Sequence, residues 1–252
     1  MKGRPTVMLI VEIIWLALLG LTPLTARGAD DGYRVFRPDG PGPHPAVVFL
    51  SGCSGFRSSF APSTYEQPAE KLRSLGFVVV WADYLGRRNL VKCSSGGVTQ
   101  NEAGKDAVAA ATWLKSQPGV DPRRIAAMGW SWGGGSLLAA LADNSIRNLI
   151  FERIILYFPY CMAAGPMVHS IPVLVLRGGS DTVAPPYLCQ AALKSKPGNQ
   201  SVKIIVYPDA QHAFDSAELP PKLQYAYGTI GYNPKAAAAA WAEVLRFLGV
   251  HK

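Results

Sequence analysis

The chain has 252 residues, which is enough for one large α/β domain and marginal for two. Hydrophobic residues make up 49% of it and charged residues 17%, a composition that excludes a disordered chain. The net charge of +8 comes from scattered lysines and arginines without a basic and aromatic stripe, so we expect no nucleic-acid partner.

Residues 1–28 are predicted to be a secretory signal peptide. Two basic residues precede an apolar run at 7–19, and small residues lie at 26 and 28. This order of regions is typical of export signals, and the run is short for a membrane span. We therefore expect a periplasmic or secreted protein with no stable membrane span after cleavage. An uncleaved anchor is the alternative, because Glu12 interrupts the apolar run.

The remaining residues, 29–252, are predicted to form one domain. Buried strands are predicted at 46–50, 77–81, 125–129, 153–158, 173–176 and 202–207, and helices at 69–75, 104–115, 136–142 and 234–248. Continuous apolar strands that alternate with helices indicate a mostly parallel sheet covered on both faces. In such a sheet, functional residues collect in the loops at the carboxyl ends of the strands.

One such loop carries a nucleophile motif. A G-x-S-x-G sequence occupies residues 129–133, directly after a buried strand and before a helix. In this context the serine lies on a sharp turn that projects its hydroxyl above the sheet. Ser131 is therefore the predicted nucleophile, and the N–H of Trp132 is a predicted donor to the oxyanion.

A serine hydroxyl needs a base, and the chain has four histidines. His44 and His169 precede strands and so lie at the wrong end of the sheet, while His251 is the penultimate residue. His212 follows the strand at 202–207, at the correct end. His212 is therefore the predicted general base.

The base needs a carboxylate that orients it. Asp181 follows the strand at 173–176 and is the predicted partner. Asp209 and Asp215 share a loop with His212 and are poorly placed to reach its Nδ1, although Asp215 could brace that loop. The chain order of Ser131, Asp181 and His212 is that of an α/β-hydrolase.

The oxyanion hole needs a second N–H, from the loop after an earlier strand. That loop is residues 51–56, where the N–H of Cys53 is the first candidate and that of Ser54 the second. The mechanism requires no metal or organic cofactor. The four cysteines lie far apart and away from the histidines, so two disulfides in one of three pairings are expected; buried free thiols are the alternative.

Nearly the whole mature chain resembles the dienelactone hydrolase family of α/β-hydrolases. The resemblance is carried by residues 47–55, 81–87, 129–134, 179–181 and 212–214. It implies a fold without a cap domain and an open cleft. The dienelactone-cleaving members have a cysteine nucleophile and a glutamate in the first oxyanion loop, where this chain has Ser131 and Gly52.

The resemblance also implies further roles. Arg87 matches an arginine that holds the substrate carboxylate, with a solvated surface arginine as the alternative. Exported relatives with a similar oxyanion loop imply the disulfides Cys53–Cys93 and Cys161–Cys189.

Residues 128–137 resemble, over about ten residues, the elbow of cutinase-type polyester hydrolases. Trp130, Tyr160 and Phe214 are predicted to line an aromatic cleft, although core packing explains aromatic residues equally well. The sequence thus predicts an exported serine hydrolase of carboxylic esters, lactones included, with a small-molecule ester as its partner. The alternatives are a polyester hydrolase, a peptidase on the same fold and a catalytically silent binding protein. The oligomeric state is left open.

Overall fold

A central sheet organises the chain in the computed structural model, which describes residues 33–146, 148–162, 164–194 and 202–250. These residues lie in one unit, Asp31–Lys252. The predicted signal peptide and His251 lie outside the described residues. Within the described ranges, no helix is long and apolar enough to cross a membrane.

The sheet has seven strands among the described residues, in the spatial order β1-β3-β2-β4-β5-β6-β7. The strands are β1 (Arg34–Phe36), β2 (His44–Leu50), β3 (Val78–Trp81), β4 (Val120–Trp130), β5 (Arg153–Tyr157), β6 (Val173–Gly178) and β7 (Val202–Tyr207). Every pairing is parallel except that of β1 with β3. The carboxyl ends of the six parallel strands therefore meet at one edge.

Helices cover both faces of this sheet. They are α1 (Gln67–Ser74), α2 (Gln100–Lys115), α3 (Trp132–Ala142), α4 (Gln190–Lys194) and α5 (Pro234–Phe247). Apolar residues of α2 and α3 pack into one core cluster, and those of α1 and α5 pack into the other. The sheet residues alternate between the two clusters, so Val48 enters one core and Phe49 the other. The predicted α/β fold with helices on both faces is confirmed.

Several element boundaries differ from the predictions for local reasons. Helix α2 begins at Gln100 rather than at 104, because Thr99 forms a capping box with Glu102. Strand β1 and a hairpin of β8 (Leu223–Tyr225) and β9 (Gly228–Ile230) were not predicted. Each has three residues, too few for an alternating pattern to be recognised.

Candidate active site

Ser131 lies on the turn between β4 and α3 in a strained conformation. Its φ of 48° and ψ of −111° place it in a region that L residues rarely occupy. A Cβ at Gly133 would collide with the carbonyl oxygens of Leu50 and Ser51 at the end of β2. This glycine therefore lets the turn pack directly against the start of the 51–56 loop.

A chain of hydrogen bonds joins Ser131 to two buried side chains. His212 Nε2 lies 2.9 Å from Ser131 Oγ, and His212 Nδ1 lies 2.8 Å from Asp181 Oδ2. With Nδ1–H donating to the carboxylate, Nε2 is free to accept the proton of the serine. The structure thus brings together three residues that are separated by 50 and 31 positions in the sequence.

Asp181 is held as a carboxylate by several donors. Its Oδ1 accepts from the N–H groups of Val183, at 2.9 Å, and Ala184, at 2.8 Å. Burial opposes the charge, but the hydrogen bond and charge of His212, together with these two N–H groups, bring the pKa of Asp181 below its usual value. The carboxylate therefore remains ionised and able to orient His212 through the neutral pH range.

The hairpin β8–β9 braces the loops that carry Asp181 and His212. The N–H of Thr229 donates to Thr182 Oγ1, next to Asp181, at 2.9 Å. The N–H of Gly231 donates to the carbonyl of His212 at 3.0 Å, and Ile230 forms a parallel bridge with His212. No sequence motif marked this hairpin, so its contribution to the site is visible only in the structure.

The two rival aspartates of the His212 loop take no part in the hydrogen-bond chain. Asp209 is exposed, whereas Asp215 is half-buried with its Oδ1 shielded from solvent, and its Oδ2 accepts from Trp130 Nε1 at 2.8 Å. This contact ties the His212 loop to the end of β4. Burial raises the pKa of Asp215 to about 7, although the hydrogen bond from Trp130 acts in the opposite direction.

Cys53 and Trp132 both line the cleft beside Ser131. The backbone N–H of neither residue has an acceptor among the described residues. The N–H of Gly52, which precedes Cys53, is already engaged, because it donates to Tyr65 Oη at 3.0 Å. Tyr84 Oη donates to the carbonyl of Gly52, also at 3.0 Å, which fixes the peptide plane that carries the Cys53 N–H.

Two disulfides lie beside this machinery, in the pairing that the family resemblance implies. Cys53 is bonded to Cys93 and Cys161 to Cys189, with Cα–Cα separations of 4.7 and 5.2 Å. The first bond fixes the 51–56 loop, and the N–H of Cys93 adds a hydrogen bond of 2.9 Å to the carbonyl of Cys53. The second joins the loop after β5 to the turn that follows Asp181.

The cleft above Ser131 has a volume of about 300 Å³ and is lined largely by apolar and aromatic side chains. Trp130 and Tyr160 line it, as predicted from the sequence. Phe214 does not; it is fully buried in the core and packs edge-on against Phe158. The prediction for Phe214 is therefore wrong, because its backbone follows His212 into the core rather than along the cleft.

Arg87 also lies outside the cleft lining. Its guanidinium stacks over the ring of Tyr33, with 4.7 Å between Cζ and the ring centroid. The short 3₁₀ helix that carries Arg87 turns its side chain toward Tyr33, which favours the alternative of a surface arginine over a residue that holds a substrate carboxylate. Among the described residues that line the cleft, Lys92 is the only lysine or arginine.

The described residues contain no group of three or more histidine, cysteine, aspartate or glutamate side chains that could hold an ion. All four cysteines are engaged in the disulfides.

Comparisons with known proteins agree with this architecture. An uncharacterised protein of Mycobacterium tuberculosis is 29% identical over 190 residues, a match that covers 68% of this chain and 64% of that protein. The chain thus spans less than two thirds of that relative. A Yersinia pestis protein with the provisional name carboxymethylenebutenolidase is 23% identical over 92% of this chain and 88% of its own length.

Among solved structures, the esterase Est2 of Thermogutta terrifontis superposes with a TM-score of 0.60 and 17% identity, covering 86% of this chain and 88% of that one. At this identity the likeness concerns the fold alone. The sequence model of the dienelactone hydrolase family matches residues 31–252. The chain therefore belongs to the dienelactone hydrolase family.

Proposed function

We propose that this protein is an exported serine hydrolase that cleaves carboxylic esters, lactones among them, through an acyl-enzyme on Ser131. The observation that carries the proposal is the hydrogen-bonded chain from Ser131 Oγ through His212 to Asp181. Ser131 Oγ attacks the ester carbonyl while His212 Nε2 takes its proton. The alcohol leaves with that proton, and water activated by His212 then hydrolyses the acyl-enzyme.

Family membership and the neighbouring folds support this chemistry. The family is named for hydrolysis of a lactone, and the neighbouring fold includes esterases. Ser131 occupies the strained elbow position, and two N–H groups without described acceptors flank it. Together these features provide a nucleophile, a base and an oxyanion site, which is what acyl transfer requires.

The test of the nucleophile is covalent labelling with a fluorophosphonate. Ser131→Ala should abolish both ester hydrolysis and labelling. Ser94→Ala is the matched control, because Ser94 also lines the cleft but lacks a histidine partner, and it should leave the label on the protein. Labelling of Ser131→Ala at full yield would refute Ser131 as the nucleophile, whereas a wild-type protein that takes up no label would favour the silent binding protein.

The cleft favours substrates with an apolar or aromatic acyl group. Most of its lining is carbon, and the exposed side chains at its edge include Met162, Tyr225 and Tyr227. An ester series from acetate to palmitate, extended by an aromatic ester and a lactone, measures this preference. Equal kcat/KM across the series would argue against recognition of the acyl group by the cleft.

A polyester hydrolase is the second candidate, favoured by the exposed rim. Met162 is 68% exposed and Tyr227 65% exposed, and apolar side chains at a cleft mouth suit a solid polymer better than a dissolved ester. Release of acid monomers from an insoluble film would distinguish the two substrates. A panel of peptide substrates tests the peptidase alternative, and we expect none of these peptides to be cleaved.

Export is supported by the two disulfides, since such bonds persist in oxidising compartments. Expression of the full chain in a bacterium, followed by fractionation and mass measurement, tests this part. A periplasmic or secreted protein that lacks about the first 28 residues is expected. A protein of full-length mass in the cytoplasm would refute export without touching the catalytic proposal.

A further inference from the structure

Tyr65 reaches the active site from a part of the chain that no catalytic motif marks. It lies in the π-helical turn Pro62–Glu66, and its ring packs edge-on against Phe56 and Trp130 at centroid distances of 5.0 and 5.1 Å. The side chain is only 3% exposed, yet it belongs to the lining of the cleft that contains Ser131. A buried ring thus delivers one polar atom, the hydroxyl, to the catalytic cleft.

The hydroxyl has a free proton. Tyr65 Oη accepts the N–H of Gly52, and a phenol that accepts one hydrogen bond still has its own proton to donate. That proton has no acceptor among the described residues. A Cβ at Gly52 would lie 3.5 Å from Tyr65 Oη and 3.5 Å from Ser131 Cβ, so the hydroxyl and the nucleophile face the same small space.

We propose that Tyr65 is a further catalytic residue, whose O–H donates a hydrogen bond to the oxyanion beside the N–H groups of Cys53 and Trp132. The inference rests on the proposed ester hydrolysis. When the bond between Ser131 Oγ and the carbonyl carbon forms, the π electrons move to the carbonyl oxygen and the serine proton moves to His212. Tyr65 retains its proton and stabilises the new charge through the hydrogen bond.

The protonation state of the hydroxyl suits this role. Burial raises the pKa of Tyr65, and the negative charge of Asp215 acts in the same direction, while the N–H of Gly52 opposes them. The hydroxyl is therefore a neutral donor through the neutral pH range.

Tyr84 provides a matched control for the loop alone. Its hydroxyl also contacts residue 52, where it donates to the carbonyl, but Tyr84 is fully buried and is not part of the cleft lining. Tyr84→Phe therefore loosens the same loop without removing a donor from the cleft. A purely structural role for Tyr65 predicts similar effects of the two phenylalanine variants.

The experiment uses a trifluoromethyl ketone, which adds to Ser131 and forms a tetrahedral oxyanion, and the corresponding methyl ketone, which binds without charge development. The disulfide-intact protein is used throughout. Tyr65→Phe should lower the affinity for the trifluoromethyl ketone, and it should lower kcat by a factor on the order of 10 to 100. The KM and the methyl ketone affinity should stay within about twofold, since the donor acts only on developed charge.

The proposal would be overturned if Tyr65→Phe bound the trifluoromethyl ketone as tightly as the wild type does. It would also be overturned if Tyr84→Phe lost as much affinity for this ketone as Tyr65→Phe does. Should Tyr65→Phe fail to fold, Tyr65→3-fluorotyrosine keeps the ring and makes a stronger donor. This variant should bind the trifluoromethyl ketone more tightly than the wild type does, and an unchanged affinity would also overturn the proposal. The Ser131→Ala variant separates the two hypotheses: if it still forms the adduct, the ester-hydrolase proposal itself fails.

Discussion

The two walls of the cleft hold their catalytic groups by different physical means. The oxyanion wall, residues 51–56, is fixed by the disulfide Cys53–Cys93 and by two neutral tyrosine hydroxyls on Gly52. The base wall, the loops of Asp181 and His212, is held mainly by hydrogen bonds to a carboxylate and to the hairpin β8–β9.

This difference matches what the proposed mechanism requires of each wall. An oxyanion hole must keep its donors aimed at one point, and a covalent bond with neutral donors does so independently of pH. The base wall must accept and return a proton, so its groups are ionisable and sensitive to their surroundings. We therefore expect pH to act mainly on the base wall and a reductant to act more strongly on the oxyanion wall.

The largest effect is expected from the carboxylate of the base wall. Asp181→Asn keeps the shape but removes the charge that holds the Nδ1–H tautomer of His212, so kcat should fall by roughly 10³ to 10⁴. Steady-state kinetics measure this, with KM nearly constant. Asp209→Asn, on the exposed part of the His212 loop, is the control; an equal loss in that variant would contradict the assignment.

Removal of the oxyanion-wall disulfide should affect both stability and catalysis. Cys53→Ser with Cys93→Ser should lower the free energy of unfolding by about 2–4 kcal/mol and kcat by on the order of tenfold. Denaturant titration and kinetics in the same buffer measure the two quantities.

Cys161→Ser with Cys189→Ser is the comparison variant. It should lose similar stability but less kcat, because Asp181 keeps the N–H groups of Val183 and Ala184. If this variant lost more kcat than the variant without Cys53–Cys93, the proposed distinction between the two walls would be contradicted.

The solvent-shielded carboxyl group of Asp215 should make stability depend on pH. Its pKa is about 7 in the folded protein and near 3.8 when unfolded, so the unfolded chain releases the proton first as pH rises. As the pH rises from about 4 to 7, the free energy of unfolding should therefore fall by a total on the order of 4 kcal/mol.

Asp215→Asn should remove this part of the dependence of the free energy of unfolding on pH. Denaturant titrations at several pH values measure that dependence. The amide of this variant can still accept the hydrogen bond from Trp130. Asp209→Asn should leave the slope in place. A wild-type slope that persists in Asp215→Asn would refute the assignment.

The smallest effect concerns charge at the mouth of the oxyanion wall. Lys92 lines the cleft, whereas Arg87 stacks on Tyr33 outside it. Lys92→Ala should raise KM for an ester with a carboxylate severalfold and leave a neutral ester unaffected, with the difference shrinking at high salt. Arg87→Ala should change neither KM. A carboxylate-specific loss in Arg87→Ala would restore the role that the family resemblance implies.

Sequence reasoning succeeded where the signal was local or periodic. The apolar strands predicted the parallel sheet, and the helix predicted at 234–248 is α5, which begins at Pro234 after Asn233, whose Oδ1 accepts from the N–H of Ala236 at 3.1 Å. The order of Ser131, Asp181 and His212 followed from the position of each residue after a strand. These predictions required only the direction of the chain through a parallel sheet.

What the sequence could not decide depends on where side chains from distant segments point. Arg87 and Lys92 are five positions apart and both basic, yet only the fold places one over Tyr33 and the other in the cleft. Phe214 and Tyr160 are both aromatic, but tertiary packing places Phe214 in the core and Tyr160 in the lining of the cleft.

By itself, the sequence determined the fold class and the residue types available for catalysis, since hydrophobic periodicity and the elbow motif are encoded locally. The tertiary structure alone decided which groups brace them: Tyr65 and Tyr84 on Gly52, Asp215 on Trp130, and the hairpin on the His212 loop. The physical reason is that hydrogen bonds and buried charges depend on distances of a few ångströms between segments far apart in the chain, and no local pattern records them.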